Sequence, residues 1–149
     1  MPYRKPCGSI LEAIGNTPLV RLRRVVSDLP VEVFAKLEFL NPMGSSKDRI
    51  SKFMIEAAER DGRLKPGDTI IENSSGNTAM GLALMAIQKG YRIKVVVRDT
   101  ISQEKLNQLL ALGAQVHKVD TSLPPEHPDS YNNITPRLAR ETPNCFFPD

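Results

Sequence analysis

The stretch DTIIENSSGNTAMGLALMAIQKGYRIKVVVR, residues 68 to 98, contains two strand patterns with a helix pattern between them. DTIIE (68–72) is rich in β-branched residues and IKVVVR (93–98) is mostly apolar, which is typical of short buried strands. AMGLALMAIQKG (79–90) predicts a helix that Gly90 ends. A strand, a helix and a strand in this order predict a βαβ unit with parallel strands.

The same alternation continues after this unit. SQEKLNQLLALG predicts a helix with Leu106, Leu109 and Leu110 on one face, and AQVHKVD predicts a further strand. Beyond a proline-rich loop, ITPRLARE predicts a helix that starts near Pro136, because proline is favoured in a first helical turn. NCFFPD then begins another apolar run.

The residues before position 68 predict a different start. Ser9 can cap a short helix over ILEAI. GNTPLVRL and VEVFAKLEF predict two strands that form a hairpin or a neighbouring pair. A helix follows from Lys47 to about Asp61, with Gly62 as its stop. The predicted fold class is therefore α/β, a three-layer αβα arrangement with a mostly parallel sheet of about four strands.

Composition places the chain among ordinary globular proteins. It has 149 residues, of which 40% are apolar and 25% charged, and this length is enough for one domain with a core. The net charge of +3 is small and gives no support for nucleic-acid binding. We expect no signal peptide and no membrane span, because no apolar run is long enough. Cys7 and Cys145 predict free thiols of a cytoplasmic protein, and the two histidines, His117 and His127, belong to no metal-ligand motif.

A lysine at a helix start is the first candidate for chemistry. In NPMGSSKDRI (41–50), Lys47 falls in or just before the first helical turn, where the macrodipole disfavours a cation. A neutral amine is the form that attacks carbonyl carbon. The alternative is that Lys47 is one of the many solvated surface lysines.

The loop between the strand and the helix of the βαβ unit is the second candidate. In an open α/β sheet, ligands bind where strands end and helices begin. Hydroxyls, an amide and backbone N–H groups at a helix N-terminus form a binding site for an anion, most simply a carboxylate. The alternative is that these side chains only cap the helix. The loop residues are Ser74, Ser75, Gly76, Asn77 and Thr78.

The two candidates together resemble a known family. NPMGSSKDR and SSGNTAMGLA resemble the two signature segments of the fold-type II pyridoxal-phosphate enzymes, in particular the cysteine synthase and cystathionine β-synthase family. IGNTPLVRL is similar to that family's first segment, and YRIKVVVRDTISQEKLNQLLALGAQV is similar to its later strand, helix and strand. The resemblance runs from about Ser9 to the last residue and implies the small N-terminal domain of tryptophan-synthase-β-like enzymes.

The resemblance implies a role for each site residue. Lys47 matches the lysine that bonds covalently to the aldehyde of pyridoxal 5'-phosphate and, once released, moves the α-proton of the substrate. Asn77 matches the asparagine that donates a hydrogen bond to the ring hydroxyl oxygen of the cofactor. The loop that holds the α-carboxylate is matched by Ser74, Ser75, Gly76, Asn77 and Thr78.

The implied reaction is β-replacement on serine or O-activated serine through an α-aminoacrylate intermediate. A thiol or sulfide would give cystathionine or cysteine, and an amine would give a diamino acid. SSGN also resembles the serine and threonine dehydratases, which catalyse β-elimination, but that branch usually has His where this chain has Thr78. A third possibility is a non-catalytic chain that binds a carboxylate ligand or a partner chain.

The chain also departs from the family. Asn73 to Ala79 replace the usual Pro-Thr-Ser-Gly-Asn-Thr-Gly, so Ala79 adds a methyl group. The sequence contains no Gly-Gly or Gly-x-Gly for the glycine-rich cup that holds the cofactor phosphate, which in the family lies further along. We expect residues 1–39 to be the segment that packs on a larger domain, absent here, and residues 40–149 to be the small α/β domain. The expected assembly is a homodimer or an association with a complementary chain.

Overall fold

The secondary structure alternates as the sequence patterns predict. The computed structural model describes residues 5–148, and its elements in chain order are as follows. They are β1 (Leu19–Leu22), β2 (Val33–Lys36), α1 (Lys47–Arg60), β3 (Thr69–Asn73), α2 (Asn77–Lys89), β4 (Arg92–Arg98), α3 (Gln103–Ala111), β5 (Gln115–Val119), α4 (Tyr131–Glu141) and β6 (Cys145–Phe146).

The main sheet has four strands in the order β5-β4-β3-β6, and every neighbouring pair is parallel. This confirms the predicted parallel sheet of about four strands. The chain moves outward from β3 to β4 and β5, and then returns to place β6 on the other side of β3. The strand order therefore reverses at β3, and the carboxyl ends of the strands at such a point are the usual ligand-binding place in open α/β sheets.

Helices cover both faces of this sheet, which confirms the three-layer arrangement. One cluster joins α1, α2 and α3 to one face and contains Ile55, Leu82 and Val95. The second cluster joins α4 to the other face and contains Val96 and Ile134. Val95 and Val96 are both fully buried on opposite faces of β4, because successive strand residues point to opposite sides.

Helix α2 is the most deeply enclosed helix. All residues from Ala79 to Ala86 are buried, which explains why its sequence is almost continuously apolar. It ends at Gly90, whose φ of 76° is the left-handed conformation that glycine adopts without strain, as the sequence predicts.

The residues before α1 form a separate small sheet. Strands β1 and β2 pair antiparallel, so the hairpin interpretation is confirmed, and the Ser9 hydroxyl caps the 3-10 turn Ile10–Ala13 by accepting a hydrogen bond from the Leu11 N–H. Large apolar side chains on the strands remain partly exposed to solvent. They are Leu19, Val20, Val33 and Phe34.

Two details of the sequence interpretation are wrong. Leu106 and Leu109 are buried, but Leu110 is 52% exposed, because each helical residue turns by about 100° and Leu110 has turned past the face that meets the sheet. Helix α4 begins at Tyr131, so Pro136 is its sixth residue and not near its start.

Tertiary contacts explain the earlier start of α4. The Asn133 amide donates hydrogen bonds to the carbonyl oxygens of Pro125 (2.8 Å) and His127 (3.0 Å), which ties the first turn to the proline-rich loop. The Arg98 guanidinium lies 4.6 Å from the centroid of the Tyr131 ring, a cation–π contact. These contacts hold a turn that local propensity does not predict.

Candidate active site

Lys47 is the first residue of α1, as the sequence predicts. Its side chain is half-buried, and its backbone N–H donates a hydrogen bond to the Ser45 hydroxyl at 3.1 Å. The N-cap, Ser46, makes no side-chain capping bond. The Lys47 side chain therefore belongs to the first turn of α1, where the field of the helix disfavours a positive charge.

Asp48 supports the turn that leads to Lys47. Its carboxyl group is fully buried, and its Oδ2 accepts a hydrogen bond from the Met43 N–H at 2.6 Å. Its Oδ1 has no hydrogen-bond partner among the described residues. Burial raises the pKa of Asp48, against the lowering effect of the Met43 bond. A buried carboxyl thus fixes the residues just before the lysine.

Arg49 connects α1 to the hairpin segment. Its guanidinium binds both carboxylate oxygens of Glu38 at 2.9 and 3.0 Å and also donates to the Thr17 hydroxyl at 3.0 Å. Asn41 donates to Glu38 and accepts from the Gly15 N–H. The Arg49 hydrogen bond, followed by that from Thr17, lowers the pKa of Glu38 to about 2. This network holds the segment before β1 against the start of α1.

The loop between β3 and α2 presents a helix N-terminus without a side-chain cap. The N-cap is Gly76, and the Ser74 hydroxyl accepts a hydrogen bond from the Gly76 N–H at 3.2 Å. The Ser75 hydroxyl accepts from the Arg98 N–H at 2.9 Å, while Asn77 is exposed. The structure therefore does not favour the interpretation that these side chains only cap the helix. An uncapped helix N-terminus is suited to an anion.

The lysine and this loop lie at neighbouring helix ends. Helix α1 packs along α2, and the Ser51 hydroxyl donates to the Thr78 carbonyl oxygen at 3.4 Å. A Cβ atom on Gly81 would lie 3.1 Å from the Lys47 carbonyl oxygen. Sequence reasoning missed Ser51 and Gly81. A glycine inside a helical pattern was the available signal, because it costs about 1 kcal/mol against alanine and implies close packing.

A buried acid at the end of β3 was also missed. Glu72 is 7% exposed, and burial raises its pKa to about 7. The next residue, Asn73, donates to the Tyr131 carbonyl oxygen at 3.0 Å. An acid inside the run DTIIE, directly before the loop, was the signal in the sequence. A cavity of about 290 Å³ opens here, lined by Glu72, Asn73, Asn132, Pro136, Phe147 and Pro148.

The described residues hold neither a metal site nor a membrane-spanning helix. Within residues 5–148, no three histidine, cysteine, aspartate or glutamate side chains come together as a metal site. None of the helices in that range has the length and apolarity needed to cross a membrane.

The chain belongs to the family of pyridoxal-phosphate dependent enzymes, whose family model matches residues 10–149. It is homologous to cystathionine β-synthases and cysteine synthases. Cystathionine β-synthase of Rattus norvegicus is 50% identical over 142 residues, which cover 94% of this chain and 25% of that protein. Cysteine synthase of Staphylococcus aureus is 51% identical over 113 residues, which cover 76% of this chain and 36% of that protein.

Solved structures show the same fold. A hydrogen sulfide-producing enzyme from Fusobacterium nucleatum superposes with a TM-score of 0.88 at 34% identity, over 100% of this chain and 47% of that chain. A cysteine synthase from Entamoeba histolytica gives a TM-score of 0.87 at 32% identity, over 99% of this chain and 44% of that chain. The chain thus spans about a quarter to a half of the length of these relatives.

Proposed function

We propose that this chain supplies the lysine and the carboxylate-binding loop of an enzyme that performs β-replacement on serine or O-activated serine. The observation that carries the proposal is the packing of two helix N-termini, with Lys47 at one and the loop 74–78 at the other. An amine and an anion site at neighbouring helix ends fit the two ends of an α-amino acid, one for reaction at Cα and one for the carboxylate.

The residues present fit one end of pyridoxal phosphate. Lys47 would hold the aldehyde carbon and Asn77 the ring hydroxyl oxygen, and both side chains are at least partly exposed. The cofactor, when bound, supplies the electron sink for a carbanion at Cα. No glycine-rich turn for the phosphate occurs in these 149 residues, so we propose that the phosphate is held by residues outside them.

Two parts of the chain would bind the substrate carboxylate and move the α-proton. The loop 74–78 would hold the α-carboxylate with backbone N–H groups and with the Thr78 and Asn77 side chains. Lys47 would take the α-proton with its amine, and its backbone N–H is held by the Ser45 hydroxyl at the start of α1. The N-terminus of α2 favours a bound anion at the loop.

The names of the relatives support a sulfur nucleophile for the second half of the reaction. The similar cystathionine β-synthase and cysteine synthase, at 50% and 51% identity over the aligned residues, are both named for sulfur-containing products. We propose that sulfide or a thiol is the nucleophile. An activated serine would then yield cysteine or a thioether amino acid.

Covalent trapping tests the role of the lysine. The complete enzyme is incubated with pyridoxal phosphate and reduced with borohydride, and the modified lysine is identified by peptide mass spectrometry. The cofactor should be trapped on Lys47 and turnover of O-acetylserine should be lost in Lys47→Ala. Lys105→Ala is the matched control, since Lys105 is an exposed lysine on α3. Trapping spread over many lysines, or an active Lys47→Ala enzyme, would refute the proposal.

A further inference from the structure

The contact between α1 and α2 leaves no room for a side chain at position 81. A Cβ atom built on Gly81 would lie 2.5 Å from the Ser51 hydroxyl oxygen, 3.1 Å from the Ser51 Cβ and 3.1 Å from the Lys47 carbonyl oxygen. Contacts under 3.0 Å require something to move. Ser51 is itself fully buried, so its hydroxyl cannot swing out to solvent.

This contact touches both candidate segments at once. One of its atoms is the backbone carbonyl of Lys47. The Ser51 hydroxyl, on the next turn of α1, donates to the carbonyl oxygen of Thr78, the last residue of the loop 74–78. The contact of Gly81 with Ser51 and Lys47, together with the Ser51–Thr78 bond, is called the helix joint below.

The surroundings of the helix joint resist adjustment. On α2, the residues from Ala79 to Ala86 are all buried, so that helix cannot shift without disturbing the core. On α1, Ile55 and Ala58 are fully buried, and Asp48 holds the preceding turn through the Met43 N–H. A methyl group added at position 81 would therefore displace the ends of the helices, where Lys47 and the loop lie.

We propose that Ser51 and Gly81 are positioning residues that set the distance between Lys47 and the carboxylate-binding loop. The inference rests on the proposed function. In an α-amino acid, the carboxylate and the Cα–H bond belong to the same carbon, so the groups that hold the one and deprotonate the other must stand at one separation. A misplacement of about 1 Å can cost up to about a hundredfold in rate.

The test uses the complete enzyme with single and combined substitutions at positions 51 and 81. Gly81→Ala should raise KM for serine or O-acetylserine and lower kcat, together by about tenfold or more in kcat/KM. Its affinity for pyridoxal phosphate should change less, because neither Ser51 nor Gly81 is among the residues proposed to hold the cofactor. Ser51→Ala combined with Gly81→Ala should recover much of the loss, because it removes the oxygen of the 2.5 Å contact. Ser51→Ala alone loses the hydrogen bond to Thr78 and should lower kcat/KM, but by less than Gly81→Ala.

A stability-matched control separates positioning from simple destabilisation. Leu109→Ala removes a buried side chain from α3, away from the helix joint, and should lower the melting temperature without changing KM. If Gly81→Ala does not fold, Ser51→Thr presses on the same contact from the other helix and should shift kcat/KM in the same direction.

The outcomes also separate this inference from the proposed function. If Lys47→Ala remains active, the proposed function falls, and backbone amide chemical shifts of Lys47 and Thr78 in Gly81→Ala still show whether the helix joint couples the two segments. A Gly81→Ala enzyme with parent kcat/KM, or one whose loss equals that of Leu109→Ala and is not recovered by Ser51→Ala, would overturn the inference.

Discussion

Two of the three hydroxyl groups of the loop 74–78, those of Ser75 and Thr78, have different surroundings. The Ser75 hydroxyl accepts a hydrogen bond from the Arg98 N–H, which joins the loop to the end of β4. Thr78 is half-buried, and its carbonyl oxygen accepts a hydrogen bond from the Ser51 hydroxyl. The Ser75 hydroxyl therefore stabilises the fold of the free protein, whereas the Thr78 hydroxyl can bind a ligand without losing a hydrogen bond among the described residues.

This difference predicts separable effects. Thr78→Ala should weaken serine binding by about 1.5–3 kcal/mol, the usual value of a hydrogen bond to a charged group, with little change in melting temperature. Ser75→Ala should weaken binding and also lower the free energy of unfolding by about 0.5–1.5 kcal/mol through the lost Arg98 bond. Titration with serine and thermal unfolding measure the two quantities. Thr78→Ser is the control that keeps the hydroxyl, and equal melting losses in both alanine variants would contradict the assignment.

Glu72 predicts a pH dependence of stability. Its pKa is raised from 4.5 to about 7, so the folded chain keeps a proton that the unfolded chain loses near pH 4.5. The stabilising contribution is thus full below about pH 4.5 and is lost as the pH rises through about 7. Glu72→Gln should therefore be close to neutral at low pH and more stable than the parent by on the order of 1–3 kcal/mol above pH 7.

Urea unfolding of Glu72→Gln and the parent at acidic, neutral and alkaline pH measures this dependence. Glu104→Gln is the control, because Glu104 is an exposed acid in the first turn of α3. A stability difference that does not change with pH would show that the Glu72 carboxyl has an ordinary affinity for protons in the folded state.

At the scale of elements, sequence patterns place almost every helix and strand, because each has a strong local signal. Runs of Ile and Val mark the buried strands, and Gly90 marks the end of α2 by its need for a positive φ. The start of α4 was not predictable, since it depends on hydrogen bonds from the Asn133 side chain to the proline-rich loop before it and on the packing of Tyr131 against Arg98. Local propensity at Pro136 points elsewhere.

The same distinction applies to the candidate site. Lys47 and the loop 74–78 are recognisable because residue type and position relative to a helix start both appear in the sequence. The burial of Glu72 and the contact between Ser51 and Gly81 depend on which elements become neighbours. Those neighbours are set by packing across residues far apart in the chain, which no local window reports.

The hydrogen-bond network around Glu38 attaches the hairpin segment to α1, and it makes the stability of the chain depend on pH. The pKa of Glu38 is lowered from 4.5 to about 2, mainly by Arg49. The stabilising contribution is present above about pH 4.5 and is lost as the pH falls through about 2. Glu38→Gln should therefore reduce stability at neutral pH, and the difference from the parent should shrink at acidic pH.

Denaturant midpoints at neutral and acidic pH measure this effect. Glu32→Gln is the matched control, because Glu32 also pairs with an arginine, Arg21, but both side chains are more than half exposed, so the pair should contribute little. Equal losses in the two variants would show that the Glu38 network is no stronger than a surface ion pair.

At the scale of the whole molecule, the hairpin is the least enclosed part of the described chain that carries apolar strands. The register of β1 and β2 places Val20, Leu22, Val33 and Ala35 on one face, so that face is entirely apolar. Val20 is nevertheless 41% exposed and Val33 36% exposed. Two strands alone are marginally stable in water, so we expect another protein surface to pack against this face.

By themselves, the 149 residues should associate through the apolar face of the hairpin. Burying Val20 and Val33 removes apolar surface from water, which stabilises an association by about 25 cal/mol per Å². We also expect weak binding of pyridoxal phosphate and no β-replacement, since the sequence has no glycine-rich turn for the phosphate.

Sedimentation velocity should show a concentration-dependent oligomer that becomes monomeric in Val20→Thr/Val33→Thr, which keeps the branched shape and adds hydroxyls. Val25→Thr is the control, because Val25 is 77% exposed but lies between the strands and off their shared face. A yellow, monomeric chain that is active on O-acetylserine would contradict both expectations, and association unchanged by the double substitution would move the contact surface away from the hairpin.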